Sequence, residues 1–155
     1  MNRKASDIVI KQTDQYEKVS EIAQKTRDYF ETGIDQLLKD IRTHRLYGAF
    51  IGEEIVGFVT YKKNSDDGIE ISWLAVLPDY RDQGIGTTLV NQTLEILKHE
   101  YHVCEVKTLA QTHPDPGYAR TRNFYTKLGF VSVDILQSYP GWGDNPCQIF
   151  KKPLR

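Results

Sequence analysis

Apolar and polar positions change period several times along the chain, and each change marks a boundary between elements. Ile8-Val9-Ile10 reads as a short strand, and Asp14 then opens a helical pattern, with Glu17 three residues on to complete a capping box. Val19, Ile22, Ala23 and Thr26 recur at helical spacing and lead to Tyr29 and Phe30. Beyond Gly33 a second stripe runs through Ile34, Leu37, Leu38 and Ile41. Two adjacent amphipathic helices are expected. Tyr47 to Ile51 and Ile55 to Tyr61 are β-prone runs joined through Gly52-Glu53-Glu54, and a polar loop with Asn64, Asp66, Asp67 and Gly68 separates them from Ile69 to Leu77. These three runs predict an antiparallel meander.

After Pro78 the period becomes helical again: Ile85, Leu89, Val90, Leu94 and Leu97 describe a helix that begins at a pair of glycines and runs to about His99. Val103 to Leu109 reads as a strand. The Pro114-Asp115-Pro116-Gly117 cluster breaks it before a helix from Tyr118 to Leu128, which Gly129 can end. Phe130 to Leu136 and Cys147 to Lys152 are the last strands, with a loop of breakers and aromatics, Tyr139 to Pro146, between them. The order β-α-α-β-β-β-α-β-α-β-β predicts an α+β fold, a mixed and mostly antiparallel sheet flanked by helices.

Composition narrows the function. A chain of 155 residues fits one domain, 1–155, with enough apolar surface to build its own core. The net charge of −1 and the lack of a basic run speak against a nucleic-acid partner. Cys104 and Cys147 form no CxxC pair, which favours reduced thiols and a cytoplasmic location. A polar N-terminus and the lack of a long apolar run predict neither export nor a membrane partner.

The candidate chemistry centres on Arg81-Asp82-Gln83-Gly84-Ile85-Gly86, where two glycines stand between a strand and a helix. The first turn of such a helix exposes unpaired N–H groups, and its dipole favours negative charge, so the turn suits a pyrophosphate. Taken alone, tight packing explains a GxG turn equally well. A Walker loop requires Lys-Ser/Thr after the last glycine, but Thr87-Thr88 follows Gly86. A Rossmann fingerprint requires a third glycine where the chain has Leu89.

The sequence resembles the GNAT N-acetyltransferase superfamily. Arg81, Gly84 and Gly86 match its Arg/Gln-x-x-Gly-x-Gly/Ala motif. Trp73 to Tyr80 is similar to the strand and turn before it, and Asn123 to Phe130 is similar to the later Phe-Tyr-x-x-x-Gly-Phe signature. The resemblance covers nearly the whole chain. It implies that acetyl-CoA is the cosubstrate, its pantetheine arm paired with the backbone of Leu74, Ala75 and Val76. The N–H groups of Arg81, Asp82, Gln83, Gly84, Ile85, Gly86 and Thr87 would face the pyrophosphate, and one strand N–H near Leu74 to Val76 would polarise the thioester carbonyl. The acetyl group would pass to a primary amine by direct attack in a ternary complex.

Such an amine is mostly protonated near neutral pH, so a base is needed. Glu70 is the candidate: it stands where some histone-acetylating members carry their base, and alternation puts it on one face with Ser72 and Leu74. The tyrosine of the Phe-Tyr pair, Tyr125, is implied as the acid that protonates the departing thiolate. Tyr118 and Thr121 depart from the Asn and Ala that many members carry there. Cys104 reads better as a buried thiol than as a nucleophile, and His44, His99, His102 and His113 lack ligand spacing, so no metal is expected. By the resemblance the acceptor pocket draws on Tyr29 to Tyr47 and Gln137 to Pro146. There Asp28, Glu31 and Asp35 would attract a cationic amine, and Tyr139 and Trp142 would stack on it. Small amines, amino acids, aminoglycosides and protein amino groups all remain open as acceptors, and so does a homodimer. The competing reading is a non-catalytic acyl-CoA binding or sensor module.

Overall fold

The structure, a computed structural model, describes residues 7–27, 33–109, 116–137, 139–140 and 145–154. Its elements follow the predicted order: β1 (Ile8–Gln12), α1 (Tyr16–Lys25), α2 (Ile34–Thr43), β2 (Arg45–Ile51), β3 (Glu54–Lys63), β4 (Gly68–Val76), α3 (Ile85–Leu97), β5 (Val103–Leu109), α4 (Pro116–Lys127), β6 (Val131–Leu136) and β7 (Cys147–Pro153). The strands form a seven-stranded sheet in the order β1-β2-β3-β4-β5-β7-β6, and β1–β2, β2–β3, β5–β7 and β6–β7 pair antiparallel. This is the mixed α+β architecture the pattern predicts.

Two local expectations are corrected. Asp14 does not cap α1. The helix starts at Tyr16 behind Gln15, with no side-chain cap, while Thr13 Oγ1 accepts the Gln15 N–H at 3.1 Å and the Asp14 carbonyl accepts the Tyr16 N–H at 2.8 Å. Glu17 thus falls at the second helical position, too early to close a capping box. α4 begins at Pro116 instead of Tyr118, because proline lacks an N–H that the first turn leaves unbonded anyway. A short 3-10 turn, Pro78–Tyr80, also intervenes between β4 and the glycines.

The chain divides into two compact units, Met1–Lys62 with Ile71–Ile96, and Lys63–Glu70 with Leu97–Arg155. In the first, the apolar stripes of the two N-terminal helices do what their spacing demands. Val19, Ile22 and Ala23 of α1 and Ile34, Leu37 and Ile41 of α2 are buried against Leu46, Phe50, Ile55, Phe58 and Ala75. Ile85, Leu89, Val90 and Leu94 of α3 are buried as well. The Tyr61 hydroxyl and Thr93 Oγ1 share a short hydrogen bond, and Thr93 also donates to the Leu89 carbonyl at 2.6 Å, so the buried polar atoms are satisfied.

In the second unit Cys104, Val106, Tyr125, Leu128, Phe130, Cys147 and Phe150 are buried. α4 ends as Gly129 predicts. With φ at +95°, Gly129 lets its own N–H reach the Thr126 carbonyl and the Phe130 N–H reach that of Tyr125, a Schellman motif. Lys152 Nζ donates to the Leu128 carbonyl at 2.6 Å and adds positive charge at the helix C-terminus. β6 ends the strand order. Its pairing with β7 slips between Ser132 and Asp134, and Val131 and Val133 stand 61% and 53% exposed.

Candidate functional site

The turn that opens α3 is built by its backbone. β4 ends at Val76, and the Arg81 guanidinium Nε bonds back to the Val76 carbonyl at 3.3 Å, bracing the 3-10 turn. Asp82 then takes φ +61° and Gly84 φ +79°, two left-handed residues in succession but one. A Cβ on Gly84 would meet no atom within 4 Å, so its dihedral, not crowding by the protein, calls for glycine. Asp82 bears the same conformation with a side chain, which only Asn and Asp tolerate at modest cost. Gly84 is the last residue outside the helix: its carbonyl accepts the Thr88 N–H and the Thr88 hydroxyl, each at 3.0 Å. The N–H groups of Ile85, Gly86 and Thr87 therefore have no carbonyl one turn back to bond.

β4 carries the other donor-side residues. Leu74 and Val76 are half-buried and Ala75 is buried. Ser72 and Trp73, neighbours in the chain, both reach α2: Ser72 Oγ lies 2.8 Å from His44 Nδ1, and Trp73 Nε1 donates to Asp40 Oδ2 at 2.8 Å. Both contacts tie the middle of β4 to the C-terminal turn of α2.

Glu70 is not a solvated strand carboxylate. Its side chain is 8% exposed, and Lys107 Nζ on β5 bonds Glu70 Oε1 at 2.8 Å and Glu105 Oε2 at 2.9 Å. Lys151 Nζ lies 3.9 Å from the other Glu105 oxygen, and the Tyr139 ring centroid 5.4 Å from Lys107 Nζ. Burial by itself would lower the Lys107 pKa, but the bonds from both carboxylates outweigh it and raise it. Burial would raise that of Glu105, and the Lys107 bond overrides it, leaving Glu105 below the usual carboxylate range. No signal in the sequence pointed to Lys107, 37 positions from Glu70.

Tyr125 is 5% exposed on α4, with its ring edge-on to those of Phe124 and Phe130, centroids 5.0 and 5.5 Å away. Burial, reinforced by the nearby Cys104 thiol, raises its pKa, so the hydroxyl stays protonated, the form that can donate a proton. Burial likewise pushes the Cys147 thiol up to about 11, against the pull of Lys107, so it is not poised as a thiolate, and Cys104 is buried with its Sγ 3.8 Å from the Glu105 carbonyl oxygen.

A second polar group was missed by the sequence reading, which set the histidines aside. Ser72 Oγ lies 2.7 Å from Thr60 Oγ1 on β3 as well as 2.8 Å from His44 Nδ1, and His44 Nε2 lies 3.6 Å from Asp40 Oδ1. Asp40 also accepts from Gln36 Nε2 at 2.8 Å. The signal was Asp40 and His44 at i and i+4 on the last turn of α2.

Of the expected acceptor residues, Asp35 is exposed in the first turn of α2 and Tyr139 is half-buried; Asp28, Tyr29, Phe30, Glu31 and Trp142 lie outside the described residues, as do Pro114, Asp115 and His113. Among the described residues no group of three or more His, Cys, Asp or Glu could hold a metal ion, and no helix is long and apolar enough to cross a membrane. A cleft of about 380 Å³ between α1 and the Gly52-Glu53-Glu54 turn is lined by none of the predicted site residues.

A strand, a left-handed turn and a helix with open N–H groups thus meet at Arg81 to Thr87. The family model described as acetyltransferase (GNAT) family matches residues 12–130, and the chain belongs to that family. It is 35% identical over 81 residues to the N-alpha-acetyltransferase of Sulfurisphaera tokodaii, a stretch that is 52% of this chain and 46% of that protein. The chain spans about half the length of the curated relatives it matches. Among solved structures it is similar in fold to Ard1 from Thermoplasma volcanium, with TM-score 0.75, 20% identity, and 96% of this chain and 99% of that one covered. An aminoglycoside 6'-N-acetyltransferase complexed with coenzyme A gives TM-score 0.74 and 22% identity, with 95% of this chain and 97% of that one covered.

Proposed function

We propose that the chain is a single-domain, cytoplasmic N-acetyltransferase that moves the acetyl group of acetyl-CoA to a primary amine by direct attack in a ternary complex. The observation that carries this reading is the left-handed turn at Asp82 and Gly84, which leaves the Ile85, Gly86 and Thr87 N–H groups open where a pyrophosphate would sit. Family membership and the coenzyme A complex of a similarly folded protein support it.

In this reading the N–H groups from Arg81 to Thr87, those of Asp82, Gln83, Gly84, Ile85 and Gly86 included, face the pyrophosphate, and the backbone of Leu74, Ala75 and Val76 pairs with the pantetheine arm. Glu70 draws in the cationic amine and accepts its proton through water. As the nitrogen bonds to the thioester carbon and the C–S bond breaks, Tyr125 gives its proton to the coenzyme A thiolate, and the second proton leaving the nitrogen restores the Tyr125 hydroxyl through water. Cys104 and Cys147, both buried thiols, fit a reducing compartment. The acceptor is a protein amino group or an aminoglycoside, among the small amines and amino acids also open to it, as the differing names of the relatives suggest.

Two measurements test this. Coenzyme A at a hundred times its Kd should stabilise the protein by about 2.7 kcal/mol. Thiol release from acetyl-CoA, with a tetrapeptide bearing a free N-terminus, kanamycin and spermidine as acceptors, should exceed the acceptor-free rate for at least one. Binding without turnover would replace the enzyme by an acyl-CoA sensor, and no stabilisation by coenzyme A would remove both.

A further inference from the structure

We propose that Asp40, His44 and Ser72 form a proton relay for acetyl transfer, in which Ser72 meets the acceptor's nitrogen and His44 holds the proton. The proposal rests on the acetyl-transfer reading above and adds to Glu70 a second destination for the amine's proton.

Three observations point the same way. Ser72 stands on β4 two residues before Leu74, within about 7 Å of it along the strand, at the start of the stretch proposed to present the thioester. Its half-buried hydroxyl is gripped on two sides, by His44 Nδ1 at 2.8 Å and Thr60 Oγ1 at 2.7 Å, and a hydroxyl has one donor and two acceptor positions. With Thr60 donating to Ser72 and Ser72 donating to His44, one acceptor position on Ser72 Oγ remains for an amine N–H. His44 is built to take charge: it caps the C-terminus of α2, where the helix dipole favours a cation, and its Nε2 lies 3.6 Å from Asp40 Oδ1. Asp40 is itself pinned by Trp73 Nε1 and Gln36 Nε2, both at 2.8 Å.

Chemistry favours this route over a carboxylate. Taking reference values, passing a proton from an α-amine to imidazole is roughly 30-fold uphill, and to a glutamate roughly 5,000-fold. Glu70 is also engaged by Lys107, while the imidazole is the side chain that changes charge near neutral pH. The step balances without a co-reactant. The ammonium loses one N–H proton to Ser72 Oγ as the Ser72 hydroxyl proton passes to His44 Nδ1. The neutral amine then attacks, and the imidazolium returns its proton to water. Asp40 faces His44 from α2 and Arg45 follows it at the start of β2, while Thr60 from β3 and Ser72 from β4 bring no charge.

The test is the pH profile of kcat/KM for the wild type, His44→Gln, Ser72→Ala and Glu70→Gln, with whichever acceptor of the panel turns over. A glutamine amide can still bond Ser72 but cannot take a proton, so a merely structural role survives that change. The ratio of each variant's profile to that of the wild type cancels the acceptor's own titration. The relay predicts that His44→Gln falls about 100-fold at pH 7 and loses an acid limb that the wild type shows, that Ser72→Ala follows it, and that Glu70→Gln keeps the limb. Turnover with the limb unchanged in His44→Gln overturns the relay alone, whereas no turnover with any acceptor strikes the acetyl-transfer reading itself. Nitrogen-15 NMR of the free protein needs no acceptor: a neutral His44 carrying its proton on Nε2 supports the relay, and one donating from Nδ1 to Ser72 overturns it.

Discussion

The turn from Arg81 to Thr87 and the cluster of Glu70, Lys107 and Glu105 are both polar, yet they are made of different material. The turn is backbone: its character comes from two left-handed dihedrals and the start of α3, with Arg81 bracing it and Ile85 anchoring it in the core. The cluster is side chain: three charges from two strands, each nearly buried, that hold one another by bonds of 2.8 and 2.9 Å. A backbone site tolerates most substitutions and fails when a dihedral becomes inaccessible. A side-chain site fails when a single partner is lost.

The largest effect should come from breaking the cluster. Lys107→Met strips Glu70 of its cation in a largely buried place and leaves Glu105 only the longer Lys151 and Asn64 contacts, and loss of one partner of such a group costs about 3–5 kcal/mol. Urea unfolding at pH 7 would measure it. The pH dependence follows from the sign of the shift. Glu105, held below its ordinary value, contributes stability that is present above about 4.5 and is lost as pH falls through its lower folded value. Lys107, held above 10.5, contributes stability that is complete below that pH and fades only in strong alkali. Wild-type stability should therefore drop in acid, and the variant, whose carboxylates are relieved by protonation, should lose less or gain there.

An intermediate effect is expected at Tyr125. Tyr125→Phe keeps the ring between Phe124 and Phe130 and removes the hydroxyl, so kcat should fall about 100-fold while acetyl-CoA binding changes little. Steady-state kinetics beside calorimetric titration of coenzyme A separate the two, and an unchanged kcat would end its assignment as the acid. The smallest effects belong to the turn and carry opposite signs. Gly84→Ala forces a side chain into φ +79° and should cost about 1–2 kcal/mol with weaker coenzyme A binding, whereas Asp82→Gly relieves the same conformation and should be neutral or stabilising by under about 1 kcal/mol. Thermal unfolding reads both. Equal costs at the two positions would mean that the dihedrals do not govern the turn.

The same contrast decides what could be read from the chain. The helix from Ile85, the glycine that ends α4 and the stripes of α1 and α2 depend on residues three to five apart, and local spacing predicted them. The start of α1 was misread because Thr13, Asp14 and Gln15 all offer turn chemistry, and the structure bonds Thr13 to Gln15. The glycine turn was legible as a motif, but the left-handed Asp82 was not, since aspartate is common in ordinary loops. Lys107 meets Glu70 across 37 positions and His44 meets Ser72 across 28, separations at which no periodicity carries information.

The outermost strand has a consequence for how the molecule behaves in company. A flat, apolar border strand invites other chains to lengthen the sheet, and β6 brings two exposed valines to that border. Its pairing slips between Ser132 and Asp134, and the Asp134 carboxylate takes the Ile135 N–H at 2.8 Å, so the ribbon is kinked, carries a charge, and has one of its donors already engaged. Straightening that kink, by deleting Val133, would turn a border that discourages recruitment into a template for it, and soluble yield on concentration would register the change before any loss of activity did.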